Sequence, residues 1–385
     1  MNTQPNQFCP SRLREIREVR GFTQTQLADL LSVTNATVSA YEKGRSKPSP
    51  AVLDSMPNVL QVPPAFFLRD ARPVREGVAY YRSLHSATKR ARARAEHRLA
   101  WLQDITEYLG TLVELPAVNL PTFDLPADPM QITDADVEEA ASMARAHWGL
   151  GQGPVPNLVR LLEHHGVIVT IDALQAQALD SLCYRTPERP FVMIGAEKAT
   201  AARWRYDAAH ELGHLLLHSD SRLRQRDVSN SVIAAQIEAQ AHKFAGAFLL
   251  PLGPFANEFY SASLDTLYRM KSVWRVSIGA MINRASKAEL ISKDTAQRLW
   301  INYSRRGWRR SEPLDDQLER EYPKTLYRAE QIVLDKGHTV DELRQAVTLA
   351  DRDIETLCGL PEGFLRAADS PPLRAASNVV PMRFR

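Results

Sequence analysis

Asp207–Asp220 reads DAAHELGHLLLHSD, three histidines and a glutamate in a largely apolar run. On an α-helix, residues i and i+4 project from one side. His210 and His214 have that spacing, so their imidazoles can hold one metal ion. Glu211, beside them, is then placed to deprotonate a water on that ion. The flanking Ala208, Ala209, Leu212, Leu215 and Leu216 read as a largely buried helix. Two histidines and a glutamate buried there without partners would cost several kcal/mol, roughly, so coordination explains them better than burial alone. A polar core satisfied by other hydrogen bonds is the competing reading.

A catalytic zinc takes three protein donors and keeps one open position. His218 is the nearest third histidine, but at eight residues from His210 it lies about 12 Å further along the axis. Zinc–nitrogen bonds span only about 2 Å. His218 therefore reads as a helix-end residue placed favourably near the C-terminal dipole. The next amphipathic stretch, SVIAAQIEAQAHKFAGAFLLP, has an apolar face of Ile237, Ala241, Phe244, Ala245, Phe248 and Leu249. Glu238 borders that face, and His242, four residues on, is its rival as the third donor.

The first seventy residues have a different rhythm. In SRLREIREVRGFTQTQLADLLSVTNATVSAYEKGRSKPSP, Gly21 ends a first helix carrying Leu13, Ile16 and Val19. Thr23 and Gln26 have the spacing of a capping box. Thr34 caps a third helix that runs to about Glu42, and Gly44 supplies a left-handed stop. Two short helices joined by a tight turn form a helix-turn-helix, whose second helix enters the DNA major groove. Asn35, Thr37 and Ser39 offer side chains that read base edges, while Val38 and Tyr41 face inward. Gln24, Lys43 and Arg45 are placed for phosphate contacts. A helical interaction module is the plainer alternative.

The chain has 385 residues, too long for one compact domain. Its 44% hydrophobic and 24% charged residues describe an ordinary folded protein, and a net charge of +3 argues for no partner by itself. Eight Lys/Arg against two Glu crowd into Arg72–Arg98. There KRARARAEHR reads as a solvated helical surface, with a non-specific phosphate contact as the alternative. LPAVNLPTFDLPADP reads as an extended connector. Three scattered cysteines form no CxxC pair, which argues against a disulfide framework or a thiolate zinc cage. The N-terminus lacks a secretory core, and no apolar run approaches the roughly 18 residues that span a bilayer. The expectation is a soluble cytoplasmic protein with no membrane partner.

GFTQTQLADLLSVTNATVSAYEKGRSKPS resembles the Cro/C1-type (Xre) repressor domain, with its Thr-Gln start, Leu-Ala pair, Val-Ser step and aromatic-Glu-x-Gly ending. PFVMIGAEKATAARWRYDAAHELGHLLLH, followed by IEAQAHKFAGAFLLP, resembles the ImmA/IrrE metallopeptidases, with Arg205-Tyr206 filling their Arg-aromatic pair. His242 and Lys243 stand where that family usually has Asn and Arg. The first resemblance implies a homodimer on a double-stranded, near-palindromic DNA operator. The second implies zinc held by His210, His214 and Glu238, with Glu211 as general base and a repressor-like protein, or the chain itself, as substrate. Tyr206 is a conceivable second donor to the oxyanion, and the strand FVMI could align substrate backbone at a sheet edge.

The expected fold is mainly α, an N-terminal helix-turn-helix bundle plus an α+β zincin-like metallopeptidase domain with a small sheet and a helical C-terminal region. The expected divisions are a DNA-binding domain at 1–70, a basic helical linker and connector at 71–132, and the peptidase domain at 133–260. A helical region at 261–365 and a disordered tail at 366–385 follow. The function implied is a DNA-binding transcriptional regulator with a zinc endopeptidase domain. The alternative is a non-catalytic repressor or antitoxin-like regulator whose peptidase-like domain senses or binds.

Overall fold

The structure, a computed structural model, describes residues 8–69, 78–81, 88–174, 180–197, 200–218 and 231–369. Most of the expected tail lies outside the described residues. The fold is mainly α, with a helix-turn-helix bundle, one small sheet inside an α+β unit and a helical C-terminal region.

The N-terminal bundle is built from α1 (Pro10–Arg20), α2 (Gln24–Leu30), α3 (Asn35–Glu42) and α4 (Pro50–Leu60). Its punctuation is local. Gly21 ends α1 at φ 75°, the left-handed region that glycine enters without strain. The Thr23 hydroxyl accepts from the Gln26 amide while the Gln26 side chain accepts from the Thr23 amide, a reciprocal capping box. Thr34 accepts from the Thr37 amide at the start of α3. Leu13, Ile16, Val19, Leu27, Val38 and Tyr41 are buried together.

The sheet contains β1 (Val78–Tyr81), β2 (Ile168–Asp172), β3 (Ser181–Arg185) and β4 (Pro190–Gly195), in the order β1-β3-β4-β2. β3 is antiparallel to both neighbours, and β2 runs parallel to β4. This corrects the expectation for FVMI. Those residues lie in β4, whose two sides are taken by β3 and β2, so its backbone has no edge to offer a peptide.

All six residues of β4 are buried because the sheet is covered on both faces. Successive side chains of a strand point to opposite faces, and the two faces meet different layers. Phe191, Met193, Leu182 and Ile168 join a core with the N-terminal bundle and with α5 (Lys89–Leu112). That core also takes α14 (Thr325–Asp335), α15 (Val340–Val347), α16 (Asp351–Cys358) and α17 (Phe364–Ala368). Val192, Ile194, Cys183 and Val169 join the other core. Its helices include α6 (Asp134–His147), α7 (Leu158–His164), α8 (Ala201–Leu217) and α9 (Ser231–Leu249). The short α10 (Leu252–Glu258) follows, and α11 (Leu264–Trp274), α12 (Ile278–Lys287) and α13 (Lys293–Arg305) complete the layer.

The basic run of α5 is not a solvated surface. Ala91, Ala95 and Arg98 are buried, and the Arg98 guanidinium binds Asp172 of β2 and Asp353 of α16. Arg94 donates to the Val19 carbonyl at the end of α1. Alternating Arg and Ala puts charge on every face of a helix, and here the buried faces meet carboxylates and carbonyls that arrive from distant parts of the chain.

Candidate metal centre

Helix α8 is buried along almost its whole length, sheet on one side and α9 on the other. His210, Glu211 and His214 are 0%, 0% and 1% exposed, so each needs a partner from a neighbouring element. Adjacent helical positions point about 100° apart. The histidines face α9, and Glu211 faces the sheet.

On the α9 side, Glu238 lies against both histidines. Its carboxylate oxygens are 3.3 Å from His210 Nε2 and 3.4 Å from His214 Nε2, and the two nitrogens are 3.0 Å apart. Donors at about 2.0–2.1 Å from a tetrahedral zinc would be separated by about 3.3 Å. The residues therefore fit that ion in type and spacing. Burial alone would raise the Glu238 pKa, but the neighbouring His210 and His214 outweigh that and hold the carboxyl well below its usual range.

The approach of α9 depends on Gly213, the fourth residue of HELGH. A Cβ there would sit 3.2 Å from Ala241 Cα, from the Ala241 carbonyl oxygen and from Phe244 Cβ. Glycine facing alanine lets the two backbones come close enough for a glutamate to reach the histidines. Nothing in the motif's metal-binding logic singles Gly213 out.

On the sheet side, Ser181 and Cys183 stand two apart in β3 and so share the face that meets α8. The Ser181 hydroxyl donates to Glu211 Oε1 at 2.6 Å, and the Cys183 thiol lies close enough to this carboxylate to help lower its pKa. Glu211 Oε2 is buried with no hydrogen-bond partner among the described residues. Burial pushes the Glu211 pKa up to about 7, against the opposing pull of His214, Ser181 and Cys183. A carboxyl poised near neutrality with one oxygen held and the other uncommitted has the properties of a general base.

His218 corrects an expectation. It follows α8 as its cap, its amide bonded to the His214 carbonyl, but its ring is fully buried rather than charged at the helix end. Burial, reinforced by His214, takes its pKa down to about 3. Its hydrogen bonds then determine the tautomer of its neighbour. Gln240 donates its amide nitrogen to the carbonyls of Pro129 and Ile132, at 2.7 and 3.0 Å. Its oxygen must therefore accept from His218 Nε2, 3.0 Å away. That leaves the lone pair of neutral His218 on Nδ1, where it accepts from His214 Nδ1 at 3.2 Å. With its proton on Nδ1, His214 presents the Nε2 lone pair to Glu238 and His210, the form a metal requires.

Tyr206 lies beside His242, its hydroxyl donating to the His242 carbonyl at 3.1 Å and its ring stacked on the imidazole at 5.9 Å. Both residues line a cavity of about 560 Å³ that extends to Ser277, Asn283, Tyr303 and Trp308. Arg205 is structural: it is buried and binds Glu321 and the Val155 carbonyl. Glu321 in turn accepts from the amides of Leu158 and Val159 at the start of α7.

In the N-terminal bundle, Asn35, Lys43 and Arg45 are exposed, and Thr37 and Ser39 are partly so, all on or just after α3. Asn35 donates to the Thr25 hydroxyl at 2.7 Å, and Thr37 shares a 2.8 Å hydrogen bond with Thr34. Gln24 is turned inward, its amide 2.7 Å from Glu42. Glu42 also receives Arg17, so this one carboxylate ties α1, α2 and α3 together.

Residues 13–67 match the family model described as Helix-turn-helix. Residues 162–286, which include every donor around Glu238, match the model described as IrrE N-terminal-like domain, of the peptidase family M78. The chain joins a helix-turn-helix domain to an IrrE-like domain. No curated protein matches it. The IrrE-like match begins after α6, yet α6 packs along α9, and the turn before it supplies the carbonyls that orient Gln240. Among the described residues, no helix is long and apolar enough to cross a membrane.

Proposed function

We propose that this chain is a DNA-binding transcriptional regulator whose IrrE-like domain is a zinc-dependent endopeptidase. It cleaves a repressor-like protein, or itself, to control gene expression. The observation that carries this reading is the meeting of His210, His214 and Glu238 beside a buried Glu211. Zinc, when bound there, would acidify a water and polarise a peptide carbonyl. Glu211 takes the proton of the attacking water and passes it to the leaving amine. Ser181 holds the carboxylate in place through one oxygen, so the other is oriented before substrate arrives. Gln240 and His218 keep His214 in its ligating tautomer. The cavity beside Tyr206 and His242 is the route by which a peptide reaches the centre.

The helix-turn-helix domain binds a double-stranded operator through Asn35, Thr37 and Ser39, with Gln24, Lys43 and Arg45 at phosphates. It works as a cytoplasmic homodimer on a near-palindromic site. Gln24 has to leave Glu42, or bridge it to the phosphate, to play that part.

The test is metal analysis of the purified chain beside His210→Ala and Glu238→Ala, with mass spectrometry of the zinc-loaded chain incubated alone and with casein as a generic substrate. The reading expects about one zinc per chain, lost in both variants. It also expects fragments from the wild type and none from Glu211→Gln, which keeps its metal. A metal-free wild type, or equal cleavage by Glu211→Gln, would overturn it.

A further inference from the structure

The site holds more donors than an open catalytic centre needs. Helix α9 carries His242 four residues after Glu238, so both side chains project from one face. The donor atoms of His210, Glu238 and His242 lie within 4.8 Å of one another. The His242 ring is 4.3 Å from the His210 ring, closer than the 4.7 Å between the rings of His210 and His214. Two sets of three thus share His210 and Glu238, one completed by His214 and the other by His242. The two sets overlap at His210 and Glu238, so they belong to one site.

His242 also differs from the other three in position. Among the four, it alone lines the 560 Å³ cavity; His210 and His214 are buried, and Glu238 is partly exposed but outside that lining. Any group entering from the cavity meets His242 first. On the far side its ring rests against Tyr206, whose hydroxyl is 3.4 Å from His242 Nδ1. The imidazole therefore packs against both the buried His210 and Tyr206, an aromatic neighbour at the cavity wall.

We propose that His242 is a fourth donor, closing the resting centre with protein on the side where an open zinc would carry water. Three protein donors and a free position mark a catalytic zinc, and four protein donors mark a closed one. This chain holds the closed set in reserve. An incoming peptide has to displace His242 toward Tyr206 before Glu211 has a water to act on. The inference rests on the metal reading above and adds its regulation: the resting protein is latent, and occupancy of the cavity relieves the latency. Substituting His242 by Asn, the residue usual at this position in the family it resembles, opens the site while leaving a polar side chain facing Tyr206.

The experiment uses the full chain loaded with cobalt(II), whose visible absorption reports coordination number, titrated with azide as an exogenous ligand. In the wild type the bands are those of four protein donors and resist azide. In His242→Asn and His242→Gln the bands change before any azide is added, and azide binds at least about 10-fold more tightly, since it no longer competes with a protein ligand. A wild-type spectrum already open to azide, and unchanged by both substitutions, would overturn the proposal while leaving the metal site intact. A chain that takes up no cobalt would instead overturn the metal reading on which it stands.

Discussion

The guanidinium of Arg20, at the end of the first helix, is forked onto the carboxylate of Asp353 in α16, with N–O distances of 3.0 and 2.6 Å across 333 residues of sequence. Arg98 of α5 binds the same carboxylate and reaches on to Asp172 in the sheet. DNA-binding bundle, central helix, sheet and C-terminal helices thus meet at one buried group. Paired charges of this kind set relative position more than they add stability, but removing one partner strands the others.

Asp353→Ala should accordingly destabilise the chain by about 3–5 kcal/mol, since Arg98 stays buried with one carboxylate fewer. Urea unfolding at pH 7 measures this. The pH dependence has a definite sign. Burial would raise the Asp353 pKa, but Arg20 and Arg98 hold it below its usual value. Its contribution is therefore present above the unfolded pKa of about 4 and lost as pH falls below it. A variant as stable as the wild type at pH 7 would show that the network contributes nothing net.

Glu330 behaves in the opposite sense. It is 1% exposed in α14, neither of its carboxylate oxygens has a hydrogen-bond partner among the described residues, and burial pushes its pKa up to about 7. The protonated form is the one the fold accommodates. Its contribution is whole below the unfolded pKa of about 4.3 and is lost as pH rises through about 7. Glu330→Gln should stabilise the chain at pH 8 by on the order of 1–3 kcal/mol and change little at pH 4. Melting temperatures at the two pH values decide it; equal shifts at both would mean that charge is not the cause.

The hydrogen-bond chain from Gln240 through His218 to His214 predicts a metal effect from a residue too far along the helix to ligate with His210. His218→Leu should weaken zinc binding about 10- to 100-fold, the usual effect of removing a group that orients a ligand. His218→Gln, which keeps an acceptor oxygen, should recover part of it. Competition with a fluorescent chelator gives the affinities, and nitrogen NMR of the metal-free histidines reads the tautomer directly. An unchanged His214 tautomer in His218→Leu would contradict the mechanism even if affinity fell.

For the N-terminal bundle, Asn35→Ala with Thr37→Ala should weaken binding to an operator selected from random duplex DNA. The expected cost is about 1–3 kcal/mol for each side chain that no longer reads a base edge. Zinc content should not move, because these residues lie in a separate part of the fold from α8 and α9. Fluorescence anisotropy at fixed salt measures the first, and elemental analysis the second. Unaltered affinity would remove α3 from the reading role.

What could be read directly from the amino-acid order was whatever rests on neighbours three or four residues apart. The Thr23–Gln26 box, the Thr34 cap, the left-handed Gly21 and Gly44, and the shared face of His210 and His214 are all of this kind. Local geometry fixes them whatever surrounds them. Gly213 carried a signal too, a glycine inside a helix where alanine would be more stable, but its meaning depends on α9 arriving opposite it.

Tertiary structure alone decided the rest, because it concerns groups far apart in sequence. Whether FVMI is an edge or an interior strand depends on β2, which is hydrogen-bonded along one side of it. Whether Arg98 meets solvent or Asp353 depends on a segment 255 positions further along the chain folding back. Ser181 and Cys183 belong to the site only because β3 lies under α8, and His218 takes part through a glutamine on another helix. A helical period places side chains on a face; which face they meet is decided by packing, where burial makes every unpaired polar group expensive and so selects the one arrangement that pairs them.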